Sequence, residues 1–179
     1  MYGLTGAHVP LIPREDRWEI DERVDHRGQV LRPLVDDDVR QLGLALAGEN
    51  IDAIVIAYLH AYANPTHEER TAEILRAIND TWEVVTSASV VREYYEFERT
   101  STAVVQGYLQ PLVARYARRL ETRLAEANFT APTFVMQSNG GLAPLKHLAN
   151  SAARIVRSGP AAGVMAAARL AGQAGFRNV

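Results

Sequence analysis

Two glycine-containing segments in the second half of the chain have residue types that could bind an anion through the backbone. The first, Ser138-Asn139-Gly140-Gly141, follows an apolar run at residues 133–137 that is typical of a buried strand. The second, Ser158-Gly159-Pro160-Ala161-Ala162-Gly163, opens an alanine-rich stretch that is predicted to be a helix. Backbone N–H groups in such a turn can form a nest for an anion, and a helix N-terminus favours negative charge. The same pattern also fits two tight connections without a ligand, so the sequence pattern leaves both alternatives open.

Other chemically capable residues give weaker patterns. His60 and His67 have no zinc-site spacing, and we interpret them as a histidine at a strand end and an exposed histidine on a helix. His147 could act as a general base, but no orienting carboxylate is evident nearby. Ser138 lacks the Gly-x-Ser-x-Gly pattern of a hydrolase nucleophile.

A dense charge cluster lies between the two halves of the chain. It contains Arg92, Glu93, Glu96, Glu98 and Arg99, and we interpret it as an ion-pair network at a domain junction. The hydroxyls of residues 100–102 are predicted to cap the helix that follows.

Composition excludes several functional classes. The 179 residues contain no cysteine, which excludes a disulfide framework, a thiolate zinc site and a cysteine nucleophile. Lys146 is the only lysine and is not in a Gly-Lys-Ser/Thr context, so a Walker-type phosphate loop is excluded. The net charge of −2 gives no basic field for nucleic acid or an acidic membrane, and no apolar run approaches a membrane span. Without a signal-peptide pattern at residues 1–13, we expect a cytoplasmic protein.

The first half of the chain is predicted to form a hairpin and a βαβ unit. Residues 14–31 alternate around a turn at His26-Arg27-Gly28, which is typical of a hairpin. A helix is predicted from Asp36, with Val39, Leu42 and Leu46 inward. Residues 51–59 and 82–87 read as strands, the first of them central in a parallel sheet. The helix between them should begin at Asn64-Pro65 and carry Glu68, Glu69 and Arg70 outward.

The second half begins with a long helix, predicted from about Glu98 to Ala127 with Pro111 inside it. Its apolar stripe is predicted to be Val105, Leu109, Leu112, Tyr116, Leu120 and Leu124. After the strand at 133–137 we expect a short helix at 145–150, a brief strand at 154–157 and a helix at 159–174. Residues 176–179 look like the start of another strand, and we therefore expect a fragment or one half of a split protein.

Five ordered motifs resemble the hydantoinase A/5-oxoprolinase family, which includes subunits of the acetone carboxylase type. They are Glu22-Arg23-Val24-Asp25-His26-Arg27-Gly28, Leu59-His60-Ala61-Tyr62-Ala63-Asn64-Pro65, Tyr95-Glu96-Phe97-Glu98-Arg99-Thr100-Ser101-Thr102, Val135-Met136-Gln137-Ser138-Asn139-Gly140-Gly141 and Arg157-Ser158-Gly159-Pro160-Ala161-Ala162-Gly163. The resemblance extends from about Val9 onward, and five motifs in order are more specific than any one alone.

The resemblance implies an α/β fold, as a fragment of the actin/hexokinase/Hsp70-like ATPase duplication that holds parts of two α/β domains. Residues 1–90 would be the C-terminal part of the family's N-terminal domain, and residues 98–179 the start of its core domain, with residues 92–99 as the join. The implied activity is ATP-dependent hydrolysis of a cyclic amide such as hydantoin or 5-oxoproline. ATP-dependent carboxylation of a ketone is one alternative, and a truncated, non-catalytic binding or relic module is another.

The resemblance also implies a site and partners. Ser138, Asn139, Gly140, Gly141, Ser158, Gly159 and Gly163 would lie near bound ATP and Mg²⁺, with no metal ligand and no catalytic residue assigned in this chain. The implied partners are the remaining hydantoinase A sequence or a separately encoded half, a hydantoinase B-like subunit and a small-molecule substrate, in an oligomer. The family's first Asp-x-Gly-Gly-Thr phosphate loop is missing, and a second normally follows the position of Val179. We therefore do not expect this chain to catalyse a reaction alone.

Overall fold

The computed structural model describes residues 9–176 and Asn178. The chain divides into two compact units, unit 1 (Met1–Val104) and unit 2 (Val105–Val179). Both units contain helices and strands, which confirms the α/β class. Among the described residues, no helix is both long enough and apolar enough to cross a membrane.

Unit 1 begins with the predicted hairpin. After a 3₁₀ turn at Arg14–Asp16, strand β1 (Arg23–Val24) pairs antiparallel with β2 (Val30–Arg32). Asp25 holds the connecting turn because its Oδ1 accepts hydrogen bonds from the N–H groups of Arg27 and Gln29, both at 2.8 Å. The backbone hydrogen bond from Gln29 is the main reason why the pKa of Asp25 is lowered.

The predicted βαβ unit forms the core of unit 1. Helix α1 (Asp36–Leu46) is followed by β3 (Ala53–Ile56), α2 (Thr66–Ile78) and β4 (Glu83–Thr86), and β3 and β4 pair in parallel. The buried core consists of Val39, Leu46, Ile56, Ala72, Ile74, Leu75, Trp82 and Val84. Within the described residues β3 has one neighbouring strand, so its central position in a larger sheet stays a prediction.

A short helix, α3 (Ser87–Val90), precedes the long helix α4 (Glu96–Glu126), which contains Pro111 as predicted. The expected capping by residues 100–102 is wrong, since they lie inside α4 and the Thr102 hydroxyl donates to the Glu98 carbonyl at 2.6 Å. The expected apolar stripe is partly wrong as well. Leu112 and Tyr116 are exposed, whereas small residues such as Ala114 and Ala117 are buried.

Unit 2 contains one antiparallel hairpin, β5 (Phe134–Met136) and β6 (Leu142–Pro144), and the helix α5 (Ser158–Gln173). Between β6 and α5 lie two 3₁₀ segments, Leu145–His147 and Ala149–Ile155. The strand expected at 154–157 is therefore wrong, because Ile155 belongs to a 3₁₀ turn that packs against the core of Ala117, Leu145 and Leu148. The strand expected at 176–179 lies in part outside the described residues.

Candidate functional site

The first glycine segment is the turn between β5 and β6, and not a connection from a strand into a helix as expected. Gly140 has φ of +81°, in the left-handed region that favours glycine, and its N–H donates to the Gln137 carbonyl at 3.0 Å. The Gln137 N–H donates to the Gly141 carbonyl at 2.8 Å. The Gly141 N–H donates to Asn139 Oδ1 at 2.9 Å. Two of the N–H groups that could have faced an anion therefore hold the turn together.

The structure brings this turn against the second glycine segment. The Ser138 N–H donates to the Arg154 carbonyl at 2.6 Å, and Ser138 Oγ accepts a hydrogen bond from the Arg157 N–H at 3.1 Å. A Cβ atom at Gly140 would lie 3.5 Å from Cγ of Met165 on α5. The two predicted segments are thus neighbours, joined by the backbone and hydroxyl of Ser138.

The first backbone N–H groups of α5 have no hydrogen-bond acceptor within the helix. Ser158 and Gly159 are the first helical residues, so no carbonyl lies one turn earlier in the helix to accept from their N–H groups. A Cβ atom at Gly159 or Gly163 would meet nothing within 4 Å, so this face of the helix is open. The exposed Arg157 directly precedes the helix and adds a positive charge to that of the helix dipole.

This arrangement can attract an anion but assembles no acid–base or metal chemistry that we can assign. In the part of the chain that the structure describes, no group of three or more His, Asp or Glu side chains is placed to hold a metal ion. His147 is exposed at the end of the 3₁₀ turn Leu145–His147. Its role as a general base stays a prediction.

Unit 1 contains a buried carboxylate that the sequence interpretation missed. Glu68 is fully buried, so the prediction that it faces outward is wrong. Its Oε1 accepts from the Tyr58 N–H at 2.9 Å and from the Ser87 hydroxyl at 2.6 Å, and its Oε2 accepts from the Ala88 N–H at 3.0 Å. Burial raises the pKa of Glu68, while these three donors and the nearby Arg99 charge act in the opposite direction.

Arg99 is the fully buried cation beside this carboxylate. It donates through Nε to the Ser87 hydroxyl at 3.1 Å and through Nη2 to the Tyr58 carbonyl at 2.8 Å. Nη1 donates to the Glu93 carbonyl at 2.9 Å, and the guanidinium forms an ion pair with Glu96. Of the ion-pair network predicted at residues 92–99, the described residues form only the Arg99–Glu96 pair, while Glu93 contributes its backbone carbonyl. The hydrogen bonds of Arg99 reach the segments that follow β3 and β4.

Tyr58 and Ser87 follow the carboxyl ends of the parallel strands β3 and β4, a position where α/β proteins commonly bind ligands. Here the space is filled by the protein's own Glu68 and Arg99, so the cluster is a buried structural network. The helical period could have revealed it. Glu68 precedes the buried Ala72 and Leu75 by four and seven residues, which places it on the inward face of α2.

His60 and His67 are both held by contacts inside unit 1. His67 Nδ1 lies 2.6 Å from Glu22 Oε2, and the two side chains are 12% and 5% exposed, so the prediction of an exposed His67 is wrong. His60 has φ of +59°, and its N–H donates to Glu96 Oε1 at 3.2 Å. Its Nδ1 is buried without a hydrogen-bond partner among the described residues.

Comparison with known proteins places both halves of the chain in one group of enzymes. A family model described as hydantoinase/oxoprolinase matches residues 99–179, and a model described as the hydantoinase/oxoprolinase N-terminal region matches residues 1–79. An uncharacterized protein of Methanocaldococcus jannaschii is 38% identical over 89% of this chain and 23% of its own length. The acetophenone carboxylase gamma subunit of Aromatoleum aromaticum is 34% identical over 96% of this chain and 24% of its own length.

A solved structure is similar as well. The crystal structure of the ATP-dependent caprolactamase from Pseudomonas jessenii superposes with a TM-score of 0.83 at 31% identity, covering all of this chain and 26% of that chain. The chain thus spans about a quarter of the length of these three relatives.

Proposed function

Because the chain belongs to the hydantoinase/oxoprolinase family, we propose that it is part of an ATP-dependent cyclic amide hydrolase acting on hydantoin-like or 5-oxoproline-like rings. The observation that carries the proposal is the packing of the Ser138–Gly141 turn onto the open start of α5. That arrangement offers backbone donors and a neighbouring guanidinium to an anion, which is what a nucleotide phosphate requires.

The residues present fit a phosphate group in three respects. The N–H groups of Ser158 and Gly159 are the leading donors of α5, and the positive end of the helix dipole lies there. The absence of a Cβ atom at Gly159 and Gly163 allows a ligand to approach the helix backbone closely. The exposed Arg157 adds a charged donor.

ATP would supply the activation that an amide carbonyl otherwise lacks, by phosphorylation of its oxygen. We assign to this chain the holding of the nucleotide phosphates by Arg157, Ser158 and Gly159, with Ser138 positioning the segment through its contact to the Arg157 N–H. The proposal includes Mg²⁺ with the nucleotide but assigns no metal ligand to the described residues, which contain no suitable cluster. It also includes a second subunit of the hydantoinase B type and the remaining family sequence as partners.

ATP-dependent carboxylation of a ketone is the second candidate. It is supported by the 34% identity to a subunit named for acetophenone carboxylase. The caprolactamase, whose name describes the opening of a cyclic amide, supports hydrolysis at a similar 31% identity. In both reactions ATP would activate a carbonyl oxygen by phosphorylation, so the same phosphate site would serve either.

The test measures phosphate release from ATP by the complete enzyme that contains this chain, with product analysis. Hydantoin, 5-oxoproline and caprolactam are the cyclic amides to supply, and acetone with bicarbonate is the alternative. Substrate-dependent ATP turnover with a ring-opened product supports the hydrolase, and a carboxylated ketone supports the second candidate. If none of these substrates stimulates ATP turnover, the chain is better described as a non-catalytic module.

The site assignment is tested by Gly159→Val, with Gly172→Val as the matched control on the same helix. An added Cβ atom meets nothing within 4 Å at either position, so we expect both variants to fold. We expect Gly159→Val to lower kcat/KM for ATP at least ~10-fold, about 1.4 kcal/mol, with an unchanged thermal midpoint, because the side chain obstructs the approach to the leading N–H groups. Gly172→Val should keep full activity. Full activity in a stable Gly159→Val enzyme would remove the start of α5 from the site.

A further inference from the structure

Gln106 on α4 is a polar side chain in the interior of unit 2, and the residue is 2% exposed. Its Nε2 donates to the Ala149 carbonyl at 2.7 Å and to Gln110 Oε1 at 3.0 Å. Its Oε1 accepts from the Ala153 N–H at 2.9 Å. Both amide hydrogens and the amide oxygen are therefore bonded, so the side chain is held in one orientation.

The two backbone partners of Gln106 belong to a kinked segment. The Ala149 carbonyl and the Ala153 N–H are four residues apart, and in an α-helix such groups bond to each other. The 3₁₀ segment Ala149–Ile155 instead has a kink at Ser151, whose φ of −133° and ψ of 31° are not helical. Here both groups bond to the Gln106 amide, which holds the kink as a backbone hydrogen bond holds a helical turn.

The kinked segment leads directly to the proposed phosphate site. The residue after Ala153 is Arg154, whose carbonyl accepts a hydrogen bond from the Ser138 N–H at 2.6 Å. Further along, the Arg157 N–H donates to Ser138 Oγ at 3.1 Å, and Ser158 is the first residue of α5. A change of direction at the kink would therefore move both groups that bond to Ser138.

We propose that Gln106 is a positioning residue of the phosphate site at the start of α5, an inference that rests on the proposed function. By holding the kink, the amide fixes the direction in which the chain leaves Ala153, and so the place where Arg157 and the first N–H groups of α5 meet the Ser138 turn. Without the amide, the Ala149 carbonyl and the Ala153 N–H are free to bond to each other, which would straighten the segment. Gln106 then contributes to ATP binding although it does not contact the nucleotide.

The experiment compares the steady-state kinetics of the complete enzyme that contains this chain with those of its Gln106→Leu variant. Leucine occupies the site but forms no hydrogen bond with the kinked segment. We expect KM for ATP to rise at least ~10-fold, because a small displacement of the groups that hold a substrate is costly. The value of kcat at saturating ATP should change less than ~3-fold, since a contact with bound ATP is lost in the ground state and the transition state alike.

Leu124→Ala is the matched control for a general loss of stability in unit 2. Leu124 packs against the core of Ala117, Leu145 and Leu148, and it lies about five turns further along α4 than Gln106. The control removes apolar burial, so thermal melts of the 179-residue chain should show a loss of stability similar to that of Gln106→Leu. It should nevertheless leave KM for ATP within ~2-fold of the natural value, because it leaves the hydrogen bonds at the kink in place.

The isosteric variant Gln106→Glu tests the two hydrogen bonds themselves. A protonated carboxyl group can donate one hydrogen bond and accept another, as the amide does for Ala149 and Ala153, whereas a carboxylate can only accept. The KM for ATP of this variant, divided by that of the natural enzyme at the same pH, should therefore be close to unity at about pH 5. The ratio should rise at least ~10-fold towards about pH 8, as the introduced carboxyl group ionises.

Amide hydrogen exchange of the 179-residue chain, followed by NMR, gives a readout that does not depend on ATP. The Ser138 N–H donates to the Arg154 carbonyl, so its protection reports on the position of the segment that Gln106 holds. We expect this N–H to exchange at least ~10-fold faster in Gln106→Leu than in Leu124→Ala.

Three results would overturn the inference and leave the proposed function intact. In the first, Gly159→Val lowers kcat/KM for ATP, but Gln106→Leu raises KM no more than Leu124→Ala does. In the second, the KM ratio of Gln106→Glu does not change with pH. In the third, the Ser138 N–H exchanges equally fast in Gln106→Leu and Leu124→Ala. Full activity in Gly159→Val would instead remove the phosphate site, and the inference with it, so the two failures are distinguishable.

Discussion

Removal of the buried carboxylate of Glu68 is the most informative perturbation of unit 1. In Glu68→Ala, the N–H groups of Tyr58 and Ala88 lose their acceptor while they remain inside the protein. An unsatisfied buried donor costs about 1–3 kcal/mol, and the loss of one member of a buried charge pair costs about 3–5 kcal/mol. Arg99 keeps its ion pair with Glu96, which limits the damage. We therefore expect a loss of about 3–5 kcal/mol in the free energy of unfolding of unit 1.

Urea unfolding followed by tryptophan fluorescence measures this loss selectively, because Trp18 and Trp82 both belong to unit 1 and Trp82 is buried. With a denaturant slope of about 1–3 kcal/mol per molar, the midpoint should fall by about 1–5 M urea. Glu69→Ala is the matched control, since Glu69 is exposed on the same helix and should change stability by less than about 0.5 kcal/mol. A loss below about 1 kcal/mol in Glu68→Ala would refute the network as a main support of unit 1.

The pH dependence gives an independent check on Glu68. Because burial raises its pKa above the ordinary value of 4.5, its stabilising contribution is complete below that value and is lost as the pH rises through the folded-state pKa. The conservative variant Glu68→Gln cannot ionise. The stability of the natural chain relative to Glu68→Gln should therefore be highest in acid and decrease towards neutral pH. A difference that grows with pH would show that the donors and Arg99 outweigh burial.

Three further substitutions test burial and packing. Burial raises the pKa of Tyr58 from 10.0 to about 12, so its contribution to stability should be complete below pH 10 and lost as the pH approaches 12. In Tyr58→Phe, stability measured by Trp82 fluorescence should decrease less over this alkaline range. An equal decrease in both proteins would contradict the expectation. Gly163→Ala on α5 should raise stability by about 0.5–1 kcal/mol in thermal melts, since its Cβ meets nothing within 4 Å. Gly43→Ala on α1 should instead lower the free energy of unfolding by about 1–3 kcal/mol, because its Cβ would lie 2.5 Å from Cδ1 of Ile78. Equal changes in stability at Gly43 and Gly163 would contradict this reasoning.

Hydrophobic periodicity predicted the larger elements well. The βαβ unit of β3, α2 and β4 and the 31-residue helix α4 are all in the positions that the sequence indicates. These elements carry apolar residues over several turns or a full strand, so the pattern distinguishes helix from strand even where, as on α4, it misplaces single residues of the buried face. The run at residues 154–157 is too short to separate a strand from a turn of helix. In the structure Ile155 belongs to a 3₁₀ segment and packs against the core of Ala117, Leu145 and Leu148.

Charged residues inside the protein were the main failure of the sequence interpretation. Glu68 was placed outward because of its residue type, although the period of α2 puts it beside Ala72. Arg99 similarly precedes the buried Ala103 by four residues on α4. Most of their hydrogen bonds join segments that are 10 to 41 residues apart, so only the tertiary structure shows that the charges are compensated.

The hydrogen bonds of the glycine turn change where the proposed phosphate site should be tested. The nest was predicted from the N–H groups of the Ser138–Gly141 segment, and those of Ser138, Gly140 and Gly141 already donate hydrogen bonds within the protein. A side chain at Gly140 is strained by its φ of +81°, and a Cβ at Gly141 would lie 3.0 Å from Asn139 Oδ1, the atom that holds the turn. A loss of activity after either substitution would therefore mix the loss of a ligand contact with a distorted turn. Gly159 has neither problem, so the start of α5 is the position at which ligand binding and folding can be separated.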